Sequence, residues 1–146
     1  MFIPPPVLLL IAIGISYLVS TFVPSFHFVN QPLSTLGLVL VTIGIGLFIW
    51  AVQFFQKHNT TIHPRGKPSS LIIEGPYRLT RNPIYLGFLL IALGTALFFA
   101  NILAIVGPIL FFFFIGAFII PFEEETLGRT FGKTYHSYLK RTRRWI

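Results

Sequence analysis

The sequence predicts an all-α integral membrane protein with about four transmembrane helices and a C-terminal interfacial amphipathic helix. Of its 146 residues, 54% are hydrophobic and only 10% are charged, whereas about a quarter of a soluble domain is charged. Four runs, residues 3–23, 33–55, 84–100 and 102–122, contain no Lys, Arg, Asp or Glu. Each run is close to the roughly 20 residues that span a hydrocarbon core as a helix.

The first and last of these runs need separate justification. Residues 3–23 have no basic segment before them, open with three prolines and lack a small-residue cleavage site, so we interpret them as a span and not a signal peptide. Runs three and four are separated only by Asn101 and its neighbours. We favour a tight antiparallel hairpin there; the alternative is one long helix kinked near Gly107 and Pro108.

The basic residues predict the orientation in the membrane. All 11 Lys and Arg lie either between runs two and three or after run four. With four spans, these two segments share one side, which the positive-inside rule makes cytoplasmic together with both termini. Most of these cations, Arg141, Arg143 and Arg144 among them, are interpreted as anchors to membrane lipid headgroups. Nucleic acid is therefore not needed to explain the net charge of +7.

The stretch EGPYRLTRNPIYLGF, residues 74–88, carries polar residues directly before an apolar run. Asn82 is a preferred N-cap residue and Pro83 suits the first helical position, so the helix should begin at Pro83. The free N–H groups and positive dipole end of such a helix bind anions. Arg78 and Arg81 lie just upstream and can add charge-assisted hydrogen bonds. This stretch predicts an anion site at the membrane edge.

A second polar cluster follows the last apolar run. Glu123, Glu124 and Glu125 are three of the four acidic residues, and a hairpin would bring them near the start of run three. Tyr77 and Tyr85 flank that start, and an aromatic face attracts an organic cation. Anion-binding groups, aromatic faces and carboxylates together suit a zwitterionic ligand that also carries a fixed positive charge. The alternative is that the glutamates only pair with nearby arginines.

The segment after the glutamates has a helical stripe. Leu127, Phe131, Tyr135 and Tyr138 recur at spacings of four, four and three residues, with basic residues between them and Gly132 as a local weak point. Such a helix either lies on the membrane surface as an anchor or folds back as a lid over the ends of the spans. The sequence leaves both alternatives open.

Two spaced patterns carry a family resemblance. They are Gly75-Pro76-Tyr77-Arg78-x-x-Arg81-Asn82-Pro83-x-Tyr85-x-Gly87 and Glu123-Glu124-x-x-Leu127-x-x-x-Phe131-Gly132-x-x-Tyr135-x-x-Tyr138. Both resemble the signatures of the isoprenylcysteine carboxyl methyltransferase family, and the related phospholipid N-methyltransferases share the scheme. The resemblance covers about the last ninety residues, and with the apolar runs we expect one membrane domain, residues 1–146. Within it, residues 1–56 form two N-terminal spans and residues 57–146 form a methyltransferase-like cofactor-binding region.

The resemblance implies a methyltransferase that uses S-adenosylmethionine, releases S-adenosylhomocysteine and has no Rossmann fold. The sequence agrees, since it has no GxGxxG motif. The absence of cysteine removes thiolate metal ligands, and we predict no metal site. By motif position, the resemblance assigns cofactor binding to Ser69, Ser70, Leu71, Ile72, Tyr77, Asn82, Pro83, Ile84, Tyr85 and Glu123.

The acceptor implied by the resemblance is a lipophilic small molecule or a prenylated substrate. Arg78 or Arg81 would orient a carboxylate acceptor, whereas an amine acceptor would need a base such as Glu124 or His63. The resemblance to eukaryotic carboxyl methyltransferases implies a substrate-contacting Arg at the position where this chain has Ile119. This difference argues against isoprenylcysteine itself as the acceptor. Two rival hypotheses remain, an NADPH-binding membrane reductase and a non-enzymatic membrane scaffold.

Overall fold

The computed structural model of the protein describes residues 3–23, 31–58 and 69–146, and within these ranges it is all-α. The prediction of an all-α fold is therefore confirmed. Short 3₁₀ helices at Gly75–Arg78 and Ile102–Ile105 and a π-helical turn at Ile115–Ile119 join the longer elements. The α-helices are α1 Pro5–Phe22, α2 Gln31–Lys57, α3 Pro83–Phe98, α4 Val106–Phe114 and α5 Ile120–Arg141.

Three stretches of the described chain are long and apolar enough to cross a membrane, namely Pro5–Phe22, Pro32–Lys57 and Ile102–Arg141. The fourth apolar helix, Pro83–Phe98, has only 16 residues. It begins at Pro83, as the sequence predicts, but it ends before residue 100, the predicted limit of the run. The prediction of a membrane protein is thus confirmed, and one of its apolar helices is shorter than expected.

A tight turn at Asn101 reverses the chain between α3 and the last apolar stretch, so the predicted hairpin is confirmed. Ala100 has a φ of 52°, and the Asn101 side chain accepts a hydrogen bond from Leu103 N at 2.9 Å. The same side chain donates to the carbonyl of Val23 at 2.8 Å. The alternative break near Gly107 does not occur, since α4 runs without interruption from Val106 to Phe114, and Gly107 packs directly against the backbone of Ala12 in α1.

Two glycine pairs bring α2 and α3 into backbone contact. A Cβ added to Gly44 would lie 2.6 Å from the Gly87 carbonyl oxygen, and one added to Gly37 would lie 2.5 Å from that of Gly94. Small residues at such positions are the usual means of close helix packing in membranes, where van der Waals contact drives association. The two antiparallel helices therefore form a closely packed pair that holds the end of α2 beside the start of α3.

Helix α1 completes the bundle by packing against α3 and α4. Its Ser16 hydroxyl donates to the carbonyl of Ala104 at 2.7 Å and is fully buried. Nearer its start, Leu8 belongs to a buried cluster with Tyr85 and Ile119. The start of α1, the end of α2, the start of α3 and the glutamates of α5 thus lie at one end of the bundle, which we call the polar end.

Helix α5 continues the last apolar helix past the glutamates and then bends. Gly132 has φ 50° and ψ −121°, which breaks the helical path at the glycine that the sequence marks as a weak point. Beyond the bend, Tyr135 and Tyr138 are buried against the polar end. Of the two alternatives for the C-terminal stripe, this is the one in which the segment folds back over the ends of the helices.

Candidate active site

The first turn of α3 has no side-chain cap. Asn82 occupies the N-cap position, but its side chain accepts no hydrogen bond from the helix. Its amide group instead donates to the carbonyl of Arg144 at 2.9 Å. Asn82 therefore occupies the predicted N-cap position, but the predicted side-chain cap is absent, since the hydrogen bond to the Arg144 carbonyl holds the amide in another orientation. Pro83 itself has no N–H, and no side chain caps the N–H groups that follow it in the turn.

A hydrogen bond joins the starts of the two polar segments. The Tyr85 hydroxyl, in the first turn of α3, donates to Glu123 Oε1 at 2.5 Å. Glu123 directly follows the apolar part of the last helix. Its side chain is only partly exposed, so the carboxyl has lost part of its hydration. Such a carboxylate gains from a cationic or hydroxyl partner, which would replace lost hydration.

Tyr77 supplies a buried hydroxyl with no hydrogen-bond partner in the described structure. Its side chain is only 7% exposed and packs with Ala51 and Ile72, while Phe55 meets its ring edge-on at 5.8 Å between centroids. Burial, and then the nearby Tyr138 and Glu123, raise the pKa of the hydroxyl. Tyr77 is therefore a neutral donor. Because unpaired buried polar groups are rare, its hydroxyl needs a ligand or water as partner.

Glu124 holds two arginines together. Its Oε1 lies 3.1 Å from the Arg81 guanidinium, and its Oε2 lies 2.6 Å from that of Arg144. Arg144 Nε also approaches Oε1, at 3.2 Å, and the hydrogen bond to Glu124 raises the pKa of Arg144. The buried Nε of Arg81 has no partner among the described residues. Both carboxylate oxygens of Glu124 are therefore engaged, whereas Arg81 keeps one donor free.

The C-terminal segment, residues 142–146, closes over this region through its backbone. The carbonyl of Arg143 accepts a hydrogen bond from Arg81 N at 2.9 Å, and that of Arg144 accepts one from the Thr80 hydroxyl at 3.0 Å. Tyr138 donates to the carbonyl of Tyr77 at 2.6 Å. Sequence reasoning treated these arginines as headgroup anchors and missed this role. Backbone acceptors leave no residue pattern, so no sequence signal marks it.

The remaining predicted residues divide into two groups. Ile72 is buried and Ile84 packs against both buried clusters, so these two line the region between Tyr77 and Tyr85. By contrast, Ser69 is exposed, and Ser70 donates to the carbonyl of His58 at 3.2 Å. Leu71 is half-buried. His63 lies outside the described residues.

Two further residues have different surroundings: Arg78 lies away from the Tyr85–Glu123 contact, whereas Ile119 shares a buried cluster with Tyr85. Arg78 is exposed and lines a different cleft, beside Lys57 and Arg141. Ile119, at the position where the resemblance to eukaryotic carboxyl methyltransferases implies an arginine, is 5% exposed and ends the π-helical turn within the core cluster. The structure thus brings together Tyr77, Tyr85, Glu123 and their apolar neighbours, with Arg81 held beside them by Glu124.

Comparisons with known proteins place this geometry in context. A family model described as phospholipid methyltransferase matches residues 33–134. A probable protein-S-isoprenylcysteine O-methyltransferase of Oryza sativa subsp. indica is 36% identical over 111 residues, which are 74% of this chain and 58% of the relative. Protein-S-isoprenylcysteine O-methyltransferase B of Arabidopsis thaliana is 29% identical over 111 residues, 75% of this chain and 56% of the relative.

A third relative, the protein-S-isoprenylcysteine O-methyltransferase of Schizosaccharomyces pombe, is 29% identical over 128 residues, 83% of this chain and 51% of the relative. The chain therefore spans between half and three-fifths of the length of these relatives. No solved structure matches the chain significantly. These matches confirm the family resemblance inferred from the two motifs.

Proposed function

Because this chain belongs to the phospholipid methyltransferase family, we propose that it transfers a methyl group from S-adenosylmethionine to a lipophilic acceptor. The observation that carries the proposal is the Tyr85–Glu123 hydrogen bond beside the unpartnered Tyr77 hydroxyl. A scaffold has no use for a partly buried carboxylate and an orphaned buried hydroxyl at this point. The basic segments at the polar end support a cytoplasmic location for the site.

The polar groups of the polar end fit the cofactor. The uncapped first turn of α3 suits a carboxylate, because free N–H groups and the helix dipole favour anions. The Glu123 carboxylate suits an ammonium group or ribose hydroxyls, and the neutral Tyr77 hydroxyl supplies one further hydrogen bond. Ile72, Ile84 and the ring of Tyr77 offer apolar surface for a base. A zwitterion with an aromatic base satisfies every one of these groups.

The reaction places few chemical demands on the chain. S-adenosylmethionine supplies an electrophilic methyl group when it is bound. The chain has to align the acceptor and keep water away, and alignment contributes up to roughly 7–11 kcal/mol in favourable cases. The buried side chains of Phe88 and Ile119, next to Tyr85, keep this region apolar.

We propose a carboxylate acceptor in preference to an amine. A carboxylate needs no base, only a cation that orients it, and Arg81 has a free buried Nε at the site. Glu124, the predicted base for an amine, has both oxygens bound to guanidinium groups. Arg78 faces the separate cleft and is the less suitable cation. An isoprenylcysteine-type acid is one acceptor of this class, and the burial of Ile119 argues for recognition that differs from the eukaryotic pattern.

Calorimetric titration of the detergent-solubilised protein with S-adenosylhomocysteine tests the cofactor, with NADPH run alongside. Tyr85→Phe and Glu123→Gln should each weaken binding by roughly tenfold to a hundredfold, as expected for a hydrogen bond to a charged group. Tyr17→Phe and Glu125→Gln are matched controls, because Tyr17 is exposed and the exposed Glu125 carboxylate pairs with Arg129 and not with Tyr85. Binding of NADPH alone would instead indicate a reductase, and binding of neither ligand would favour a scaffold.

The acceptor class needs a second assay. Transfer of labelled methyl groups to a farnesylated cysteine derivative, compared with phosphatidylethanolamine, separates carboxylate from amine acceptors. We expect a base-labile methyl ester from the acid and no product from the amine. Arg81→Gln should reduce transfer to the acid far more than Arg129→Gln, whose guanidinium only pairs with Glu125 on the surface. Methylation of the amine at a comparable rate would contradict the preference for a carboxylate.

A further inference from the structure

An open cleft of about 690 Å³ lies at the polar end, separate from the Tyr85–Glu123 contact. It runs between the end of α2, the 3₁₀ helix Gly75–Arg78 and the end of α5. None of the residues that line it is Tyr77, Tyr85 or Glu123. The side chains that matter for its chemistry are Phe54, Lys57, Ile73, Glu74, Arg78 and Arg141.

The cleft has an excess of unpaired positive charge. Lys57, Arg78 and Arg141 come from three different elements, and among the described residues none of them has a carboxylate within 4.0 Å. Glu74 is the one acidic side chain in the lining. The arginines that do pair with glutamates are not in the lining; they are Arg81, Arg129 and Arg144. Three converging cations with one opposing carboxylate favour an anion.

The cleft also has an apolar wall. The Phe54 ring lies under the Lys57 ammonium, 5.6 Å from the centroid, and Ile73 is 42% exposed. Gly75, with φ 56°, lets the chain pass so close to Phe54 that any side chain there would collide with the ring. Phe54 lies one turn before the end of an apolar span, so this wall is at the level where a bilayer's hydrocarbon gives way to headgroups.

We propose that this cleft binds a phosphate group of an anionic amphiphile. Guanidinium groups form bidentate, charge-assisted bonds to phosphate oxygens, and Lys57 adds a third point of charge. The apolar wall beside them accommodates the first methylenes of a lipid. The source of the phosphate, a lipid headgroup or free phosphate, is distinguished in the experiment. The site does not depend on the proposed methyl transfer.

Occupancy of the cleft also bears on the neighbouring candidate site. The 3₁₀ helix Gly75–Arg78 has Arg78 in the cleft and Tyr77 at the candidate active site. Tyr138 lines the cleft and bonds to the Tyr77 carbonyl. An anion held by Arg78 and Arg141 therefore tethers the segment that positions Tyr77.

The test uses the full chain in a neutral detergent with three soluble probes: dihexanoylphosphatidylglycerol, dihexanoylphosphatidylcholine and inorganic phosphate. The rise in melting temperature with probe concentration gives an apparent dissociation constant. The variant Lys57→Gln/Arg78→Gln/Arg141→Gln removes the three cations that line the cleft in the described part of the chain. Its matched control is Lys133→Gln/Lys140→Gln/Arg143→Gln, which removes the same charge from exposed side chains outside the cleft.

We expect phosphatidylglycerol to bind the unaltered chain, and its affinity to fall about tenfold or more in the cleft variant but less than about twofold in the control. A single change, Glu74→Gln, should strengthen binding severalfold and does not risk unfolding, since the side chain is exposed. Binding of inorganic phosphate with the same variant pattern would identify free phosphate as the source. Equal losses in both triple variants, or equal affinity for phosphatidylcholine, would overturn the proposal.

Discussion

The glycine contacts between α2 and α3 make a sharp prediction about stability. Gly44 is buried against α3, whereas Gly46, two residues later on the same helix, has nothing within 4 Å of an added Cβ. We compare Gly44→Ala with Gly46→Ala. Both changes replace glycine by alanine in the interior of α2, so both gain the same helix propensity of about 1 kcal/mol. Their difference therefore isolates the contact with α3.

The size of that difference follows from the geometry. The new Cβ at Gly44 would lie 2.6 Å from the Gly87 carbonyl oxygen and 2.9 Å from Cγ1 of Ile91, whereas ordinary contact begins near 3.4 Å. The helices must therefore separate by about 0.8 Å at this point. Overpacking of this kind costs about 1–3 kcal/mol. We expect Gly44→Ala to be less stable than Gly46→Ala by that amount.

The free energy of unfolding in mixed detergent and dodecyl sulfate micelles measures the effect. A second pair of variants, Gly87→Ala and the double change Gly44→Ala/Gly87→Ala, adds a test of proximity. If the glycines share one contact, the double change should cost less than the sum of the single changes, because the first separation makes room for the second. Equal stability of Gly44→Ala and Gly46→Ala would refute the backbone contact.

Two other predictions concern the polar end. Arg144→Gln should weaken S-adenosylhomocysteine binding a fewfold by calorimetry, since it frees the C-terminal segment, while Arg129→Gln should leave it unchanged. Tyr138→Phe should cost about 1–3 kcal/mol of unfolding free energy, because the buried Tyr77 carbonyl loses its donor; an unaltered value would show that another donor replaces it.

Much of this fold is predictable because its strongest signals are local. Uncharged runs specify the apolar helices, Pro83 marks the start of α3, and Asn101 marks the turn. The proximity of Tyr85 to Glu123 also follows, since the hairpin brings the start of one helix beside the end of the other. The roles in catalysis and cofactor binding stay predictions for the experiments above.

The interactions that the sequence does not reveal are long-range ones made by backbone groups. Asn is a residue type that favours helix caps, yet the side-chain amide of Asn82 donates a hydrogen bond to a backbone carbonyl 62 positions later in the chain. Arg144 acts through that carbonyl as well as through its guanidinium. Every residue has a backbone carbonyl, so no pattern of side chains in the sequence predicts which carbonyl accepts such a hydrogen bond. The sequence also does not reveal the separation of Arg78 from Arg81: Arg78 ends the 3₁₀ helix and lines the cleft, whereas Arg81 lies after that helix and pairs with Glu124.

The shortness of α3 makes the protein sensitive to the thickness of its bilayer. Sixteen residues rise about 24 Å, less than the roughly 30 Å of a typical hydrocarbon core. The turn at Asn101 tolerates a position within the hydrocarbon, because its amide bonds to protein groups. The two ends of α3 therefore cannot both reach the headgroups, and lipids must thin locally around it or leave one end submerged. Longer acyl chains submerge it further, so membrane thickness sets how far a water-soluble reactant must descend to meet a lipid-soluble one.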